Sequence, residues 1–423
     1  MEKAFKANRL KTPATMNPIV SAHWESLRRA KEAGVPTVWS LGMMSLLTRA
    51  IGIPTHTYAT YASLASRDPE TGSDALLEEA ETEGYLQEGC SYMRLHMGLL
   101  GAIRKGRTVR PDMQLPLPDL VLSTRCCPEQ PHIVDAIHRR YGIPAATVDT
   151  PLYGRESDLE ERVFRYVEEG IREQIIPAIE KLTGKPYDYD KLGEALAIIK
   201  RCAEIRNRCL ELSRNVPAPW SFFDMCVSSG ALQNVGGTPA ALRYFEQLHT
   251  ELAERVAQGI GAVEPERYRL LYDAPFMMWR WFGLFARKLV DAGACLVTSR
   301  YINFLWPYPE DIDPSRPLYS YARGFLRGMN WMTEEEGEKR IAEFIGKYSI
   351  DGIFTLNART CRAAGGYHDI NRDMDRRFGV PGVIVDADQI DPKFFSEAQM
   401  DIRLQALLET IDARRKTKAS GAH

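Results

Sequence analysis

Three positions in the chain carry cysteines placed where thiol or soft-metal chemistry could be done. Cys90 sits in GYLQEGCSYMRLHMGLLG, close to the start of an apolar helical run, where backbone N–H groups favour a thiolate. The doublet Cys126-Cys127 follows the run LVLSTR, and Cys361 follows DGIFTLNART. Adjacent cysteines seldom clamp one metal together, because successive side chains point apart. The eight cysteines include no C-x-x-C and no compact Cys/His array, which argues against structural zinc. A metal site must therefore be assembled from distant segments. Three thiolates from separate segments suit an iron–sulfur cluster with one iron left open. The competing reading is that a small apolar residue fills a tight strand–helix corner. Cys202 and Cys209 are seven apart on one helix face and read as core, with Cys226 in the same helical region and Cys295 in a buried strand.

Other side chains near these cysteines could move protons. His96 follows Cys90 by six residues and His368 follows Cys361 by seven; each is a candidate proton donor near neutral pH. Ser40, just after an apolar strand-like run, is a third candidate, although a serine there commonly bonds only its local backbone. The aromatics Trp279, Trp281, Phe282, Phe304, Trp306 and Tyr308 could wall a pocket or fill an interface. The loop NVPAPWSFFD (215–224) is Pro-rich and aromatic enough to reach over a cleft.

An internal repeat positions the second and third cysteine sites. DLVLSTRCCPEQPHIVDAIHRRYGIPAATVDTP (119–151) parallels DGIFTLNARTCRAAGGYHDINRDMDRRFGVPGVIVDAD (351–388). Each copy opens on Asp and a strand-like run, meets a cysteine, and passes through a helix to Arg-Arg-aromatic-Gly-β-branched-Pro. Gly after the basic helix end is the expected left-handed stop, and Pro forbids further helix. The repeat permits either member of the doublet to match Cys361; Cys127 lies nearer the following helix. Upstream, TVWSLG (37–42) and PTHTYA (54–59) precede the first copy, and YRLLYD (268–273) and ACLVTS (294–299) the second. Apolar strands alternating with helices predict two similar open α/β domains of the Rossmann or flavodoxin type, each with about four parallel strands. Apolar spacing of three and four predicts a helical segment between them. The expected divisions are a mobile N-terminus (1–17), a first α/β domain (18–154), a helical segment (155–265), a second α/β domain (266–412) and a mobile tail (413–423). Ligands of open parallel sheets bind beyond the carboxyl ends of the strands, so Cys127 and Cys361 are placed at ligand-facing edges, and two such edges can face each other across an interdomain cleft.

Length and composition agree with this plan. The chain has 423 residues, enough for two or three domains, and 44% hydrophobic with 26% charged content is a globular balance. A net charge of −2 provides no electrostatic reason to expect nucleic acid or a membrane surface as partner. No apolar run reaches transmembrane length and the N-terminal stretch has no signal-like apolar region, so the expected location is the cytoplasm.

Four stretches, EGCSYMRLHMG (88–98), DLVLSTRCC (119–127), DGIFTLNARTCR (351–362) and RRFGVPGVIVDADQIDP (376–392), occur in the order found in a known family. With the closing FSEAQMDIRLQALLETI (395–411), the chain resembles the iron–sulfur subunits of 2-hydroxyacyl-CoA dehydratases and benzoyl-CoA reductases from about residue 20 to 412. That resemblance implies a [4Fe–4S] cluster held between the two α/β domains by Cys90, Cys127 and Cys361, with Cys126 packing beside it. It implies a CoA thioester as substrate, a homologous second iron–sulfur subunit, and a separate ATP-hydrolysing iron–sulfur activator that injects single electrons. The lack of a G-x-x-x-x-G-K-[ST] loop in this chain fits that division of labour. Arg125 and Arg362, each beside a cysteine site, could hold a CoA phosphate or tune the cluster's charge. In the family's dehydratases an acidic residue commonly follows the second strand. Here that stretch reads Thr57-Tyr58-Ala59-Thr60-Tyr61, with no carboxylate. The reading is an anaerobic one-electron acyl-CoA enzyme subunit, with dearomatising reduction of a benzoyl-CoA type preferred. The alternatives are a dehydratase subunit working through a ketyl radical, as the non-substrate-binding partner in one form, and a two-lobed binding protein without a cluster.

Overall fold

Each apolar run that precedes a predicted helix forms a strand in the computed structural model. The structure describes residues 5–41, 44–67, 72–108, 113–125, 127, 129–151, 160–274, 277–304, 307–328, 333–362 and 367–420. Ten strands are present among them: β1 (Lys6–Ala7), β2 (Val38–Ser40), β3 (Thr55–Thr57), β4 (Leu120–Thr124), β5 (Ala145–Val148), β6 (Val263–Glu264), β7 (Tyr268–Asp273), β8 (Ala294–Ser299), β9 (Gly352–Ala358) and β10 (Gly382–Ala387). Two four-stranded sheets run β3-β2-β4-β5 and β10-β9-β7-β8, and every neighbouring pair in them is parallel. Counted within its own domain, each sheet has the order second-first-third-fourth. The chain thus reverses its direction of travel between the first and third strands of each sheet, which is where α/β sheets leave a crevice at their carboxyl edge.

The repeat is repeated in its bonds. Asp119 and Asp351, which open the two copies, use their carboxylates alike: each accepts a backbone N–H at the start of the sheet's first strand, from Thr37 just before β2 or Arg269 in β7, at 2.8 Å. The carbonyls of Pro144 and Pro381 likewise accept the N–H of Val121 and Ile353, both at 2.9 Å. Gly142 and Gly379, after the two Arg-Arg-aromatic helix ends, have φ of 66° and 65°, the left-handed stop that only glycine adopts without strain. The strands of the second copy are longer. β9 has seven residues against five in β4, and β10 six against four in β5.

Between the sheets' contributions lies a helical middle. Its main helices are Glu161–Gly170, Ile176–Thr183, Tyr189–Leu212, Phe222–Val235 and Pro239–Gln258. Cys202, Cys209 and Cys226 are buried in it and Cys295 in β8, where burial pushes the first two thiols up to about 12. The loop around residues 215–221 does not bridge a cleft. The Ala218 N–H donates to Glu266 at 2.8 Å and its carbonyl accepts from Ala262 at 2.7 Å, while Phe222 stacks on Tyr272 of β7 with ring centres 4.6 Å apart. That loop fastens the helical middle to the second sheet.

Parts of both predicted mobile ends lie in regular elements. β1 pairs antiparallel with β6, and the last helix runs Glu397–Ala419, with Met400, Leu404, Leu407 and Ile411 buried along one face. No helix of the described residues is long and apolar enough to cross a membrane.

Candidate metal centre

The three cysteine sites are brought to one interdomain region by different local devices. Cys90 is the N-cap of the Ser91–Arg104 helix, whose first-turn N–H groups favour a thiolate there. Burial acts the other way and dominates. Together with the neighbouring Cys361 and Cys127 thiols and the Asp388 carboxylate, it holds the Cys90 thiol well above its ordinary range.

Cys127 and Cys361 come from equivalent places in the two sheets. Each lies three residues beyond the end of its third strand, β4 ending at Thr124 and β9 at Ala358. Sequence alignment alone leaves the doublet ambiguous because the second copy's strands are two residues longer; counting from the strand ends pairs Cys127 with Cys361. Cys126 lies outside the described residues. Both sites sit at the carboxyl edges of their sheets, beside the switch points.

Contacts between the domains bring the edges together. Ser91 N–H donates to Thr360 Oγ1 at 3.1 Å, linking the residue after Cys90 to the residue before Cys361. Arg362 approaches Glu129 at 3.8 Å, linking the residue after Cys361 to the helix that follows Cys127. Arg94, one turn into the Cys90 helix, pairs with Asp391 of the second domain, with Glu81 at 3.2 Å and with the Gly89 carbonyl at 3.1 Å. The helix can take this position because Gly98 lets it touch the Ser73–Thr82 helix backbone to backbone. A Cβ at Gly98 would stand 1.8 Å from the Leu76 carbonyl oxygen.

Among the described residues, no three His, Cys, Asp or Glu side chains stand close enough to hold a metal ion between them. A single ion needs its ligand atoms within a few ångströms of one point, whereas thiolates bound to different irons of a cluster stand farther apart. The surroundings nonetheless fit such a group. The donor set is three thiols, which is the ligand type that iron–sulfur clusters take. Next to it, Ser91 Oγ and both polar atoms of the Gln389 side chain are buried without a hydrogen-bond partner among the described residues, and of these the Ser91 hydroxyl and the Gln389 amide NH2 are able to donate to a thiolate or sulfide.

The remaining candidates fall in separate places. Ser40 is buried at the end of β2, level with Leu122 of β4 and so at the first sheet's switch point. His96 is buried among Trp39, Tyr58 and Tyr61, and its Nε2 meets His56 Nε2 at 3.3 Å. Its Nδ1 lies 2.8 Å from the Tyr92 carbonyl and must donate there, so Nε2 is bare and accepts from His56. Burial lowers His96 to about 4, which keeps it neutral and makes it a packed core residue at pH 7. His368 lies in the first turn of the Tyr367–Phe378 helix, with its side chain outside the described residues. Arg125 is exposed, 3.9 Å from Asp149.

The aromatic group divides. Trp279 stacks on Phe282 at 5.7 Å and donates its indole N–H to Tyr92 of the Cys90 helix, so this part backs the centre from the second domain. Trp281 stacks on Phe395 at 4.1 Å, and Tyr308 instead accepts from Arg340 at 3.2 Å. Trp306 and the Phe304 side chain lie outside the described residues. Thr360, Asp388, Asp391, Arg94, Ser91 and Gln389 were not legible as site residues. The nearest signals were Ser91 and Thr360 flanking the two cysteines, and the acidic end of the second repeat.

Known proteins resemble the chain over most of its length. Residues 65–411 match the profile of a family described as 2-hydroxyglutaryl-CoA dehydratase, D-component. A benzoyl-CoA reductase subunit of Thauera aromatica is 23% identical over 416 residues, covering 94% of each chain. The (R)-phenyllactyl-CoA dehydratase alpha subunit of Clostridium sporogenes is 25% identical over 81% of this chain and 82% of its own. The lactoyl-CoA dehydratase alpha subunit of Anaerotignum propionicum is 25% identical over 92% and 94% respectively.

Proposed function

Because the chain belongs to the 2-hydroxyglutaryl-CoA dehydratase D-component family, a family of enzyme subunits, we propose that it is the [4Fe–4S]-binding subunit of an anaerobic acyl-CoA reductase or dehydratase complex. Membership in a family of enzyme subunits speaks against a two-lobed small-molecule binding protein without a cluster. The observation that carries the reading is that the residues flanking these cysteines meet, Ser91 with Thr360 at 3.1 Å and Arg362 with Glu129 at 3.8 Å, at the carboxyl edges of two like sheets.

In this reading the three cysteines hold the cluster, each giving up its proton on binding. When bound, the cluster supplies low-potential single electrons and an open iron to an acyl thioester. The chain's own part is to bind, orient and keep the site dry. Tyr58, Tyr92 and Trp279 wall it with rings from both domains, which lowers the local dielectric. The exposed guanidinium groups of Arg125 and Arg362, at the carboxyl edges of the two sheets, hold CoA phosphates or balance the thiolates. Ser40 and His368 are the proton-donor candidates at those edges. His96, neutral and buried, would serve by holding the wall in register.

Reduction of a benzoyl-CoA-type thioester is preferred, because Thr57–Tyr61 offers no carboxylate where a dehydratase would commonly place one. Dehydration is the second reading, supported by the relatives named as dehydratase alpha subunits. Those names also support a further subunit in the complex; in this reading that partner is homologous, and a separate ATP-hydrolysing activator is the electron source. The test is to purify the chain anaerobically with its partner and measure iron and acid-labile sulfide. The complex is then assayed with activator, ATP and either benzoyl-CoA or a 2-hydroxyacyl-CoA. Iron and sulfide together with ring reduction are expected. Turnover of the hydroxyacyl thioester alone would select the dehydratase, and absence of iron and sulfide would overturn the cluster.

A further inference from the structure

Cys90 belongs to the first domain and Cys361 to the second, so their separation depends on what ties one domain edge to the other. The Ser91 N–H, in the first turn of a helix where no intrahelical acceptor exists, donates to Thr360 Oγ1 at 3.1 Å. The Thr360 hydroxyl has one hydrogen, and it goes to Asp388 Oδ2 at 2.5 Å. The same oxygen accepts the Thr360 N–H at 3.2 Å, while Oδ1 accepts the N–H groups of Ile390 and Asp391, both at 3.0 Å. Ser91, Thr360 and Asp388 are all buried, and the carboxylate is satisfied by four donors rather than by a cation. Every hydrogen in this series has a fixed direction: Ser91 N–H to hydroxyl, hydroxyl to carboxylate, carboxylate from three backbone amides. One end of this relay is bonded to Cys90 and its middle to Cys361.

We infer that Thr360 and Asp388 are positioning residues, an interdomain clasp that sets the distance between the Cys90 and Cys361 sulfurs. The inference rests on reading those cysteines as cluster ligands. Valine at 360 keeps the shape but can neither accept from Ser91 nor donate to Asp388. Serine keeps both bonds. Asparagine at 388 must turn an NH2 toward donors on one side, so it breaks one half of the relay whichever way it flips.

The test uses the full-length chain, loaded anaerobically, and follows iron release to a strong chelator by loss of cluster absorbance. Thr360→Val is expected to release iron at least tenfold faster than wild type, and Thr360→Ser within twofold of it. Equal rates for Thr360→Val and wild type would overturn the clasp. Should Thr360→Val fail to fold by circular dichroism, Asp388→Asn is read in the same way against the same limits. If wild type takes up no iron and sulfide, the ligand reading fails rather than the clasp. The clasp is then read on the cluster-free chain with a short-span bismaleimide, locating a Cys90–Cys361 link by peptide mapping. A tenfold lower yield in Thr360→Val supports it, and an unchanged yield overturns it.

Discussion

Asp391→Asn should loosen the segment that carries Cys90 while leaving the shape of the protein almost untouched. Asp391 and Arg94 are each only 2% exposed, and they face one another across the domain boundary. Arg94 also donates to the Gly89 carbonyl, so the same guanidinium that meets the second domain holds the residue before Cys90. Removing one charge of a buried pair leaves the other desolvated and uncompensated, at a cost of roughly 3–5 kcal/mol. Glu81, 26% exposed and 3.2 Å from Arg94, still opposes the cation, which places the expected loss near the lower end, about 3 kcal/mol. At about 1.4 kcal/mol per tenfold, that raises the open population of the local segment about a hundredfold. Amide hydrogen exchange of peptides covering residues 85–95 reads this directly. The double variant Arg94→Met/Asp391→Leu should exchange more slowly than either single one, because no buried charge is left without a partner. An Asp391→Asn protein exchanging within threefold of wild type, or a double variant worse than both singles, would refute the reasoning.

Three further outcomes are expected. Gly98→Ala should lower the melting temperature by many degrees and weaken iron retention, because its Cβ would meet backbone at Leu76 and neither helix can yield alone; a melting curve matching wild type would count against the packing. Acid should destabilise the fold through the half-buried His23 and the buried His96. His23 and His96 are depressed by burial to about 4, so their contribution is complete above the unfolded value of about 6.5 and is lost as pH falls from there toward 4. At pH 5 each has lost about 2 kcal/mol, and urea midpoints at pH 7 and 5 should differ accordingly; equal midpoints would contradict it. Finally, Cys361→Ser should lower the iron bound per chain while Cys295→Ala, in the core of the second sheet, leaves it unchanged; equal iron in all three proteins would remove Cys361 from the ligand set.

Much of the architecture could be read from residue order because it depends on local chemistry. Arg-Arg-aromatic-Gly-β-branched-Pro ends a helix and leads into a strand in both copies, since Gly142 and Gly379 can take a positive φ and Pro cannot extend a helix. Asp119 and Asp351 recur at the same place because each satisfies an N–H at the start of the neighbouring strand. Cys90 stood out because it precedes an apolar helix, and Cys361 because it follows an apolar strand. His96 looked available from its spacing to Cys90 and is instead deep in an aromatic core. Periodicity records that a helix has a buried face but not that His56 would be waiting on it.

The two sheets, the helical middle and the repeat were thus legible in residue order, because each follows from short-range propensity and apolar patterning. Which cysteine of the doublet matches Cys361 was not, since that depends on where β4 and β9 end rather than on residue identity. Nor was what joins the sites. The bonds from Ser91 to Thr360 and from Arg94 to Asp391 span 269 and 297 residues, and no local pattern encodes a contact between groups that meet only when two domains close on each other.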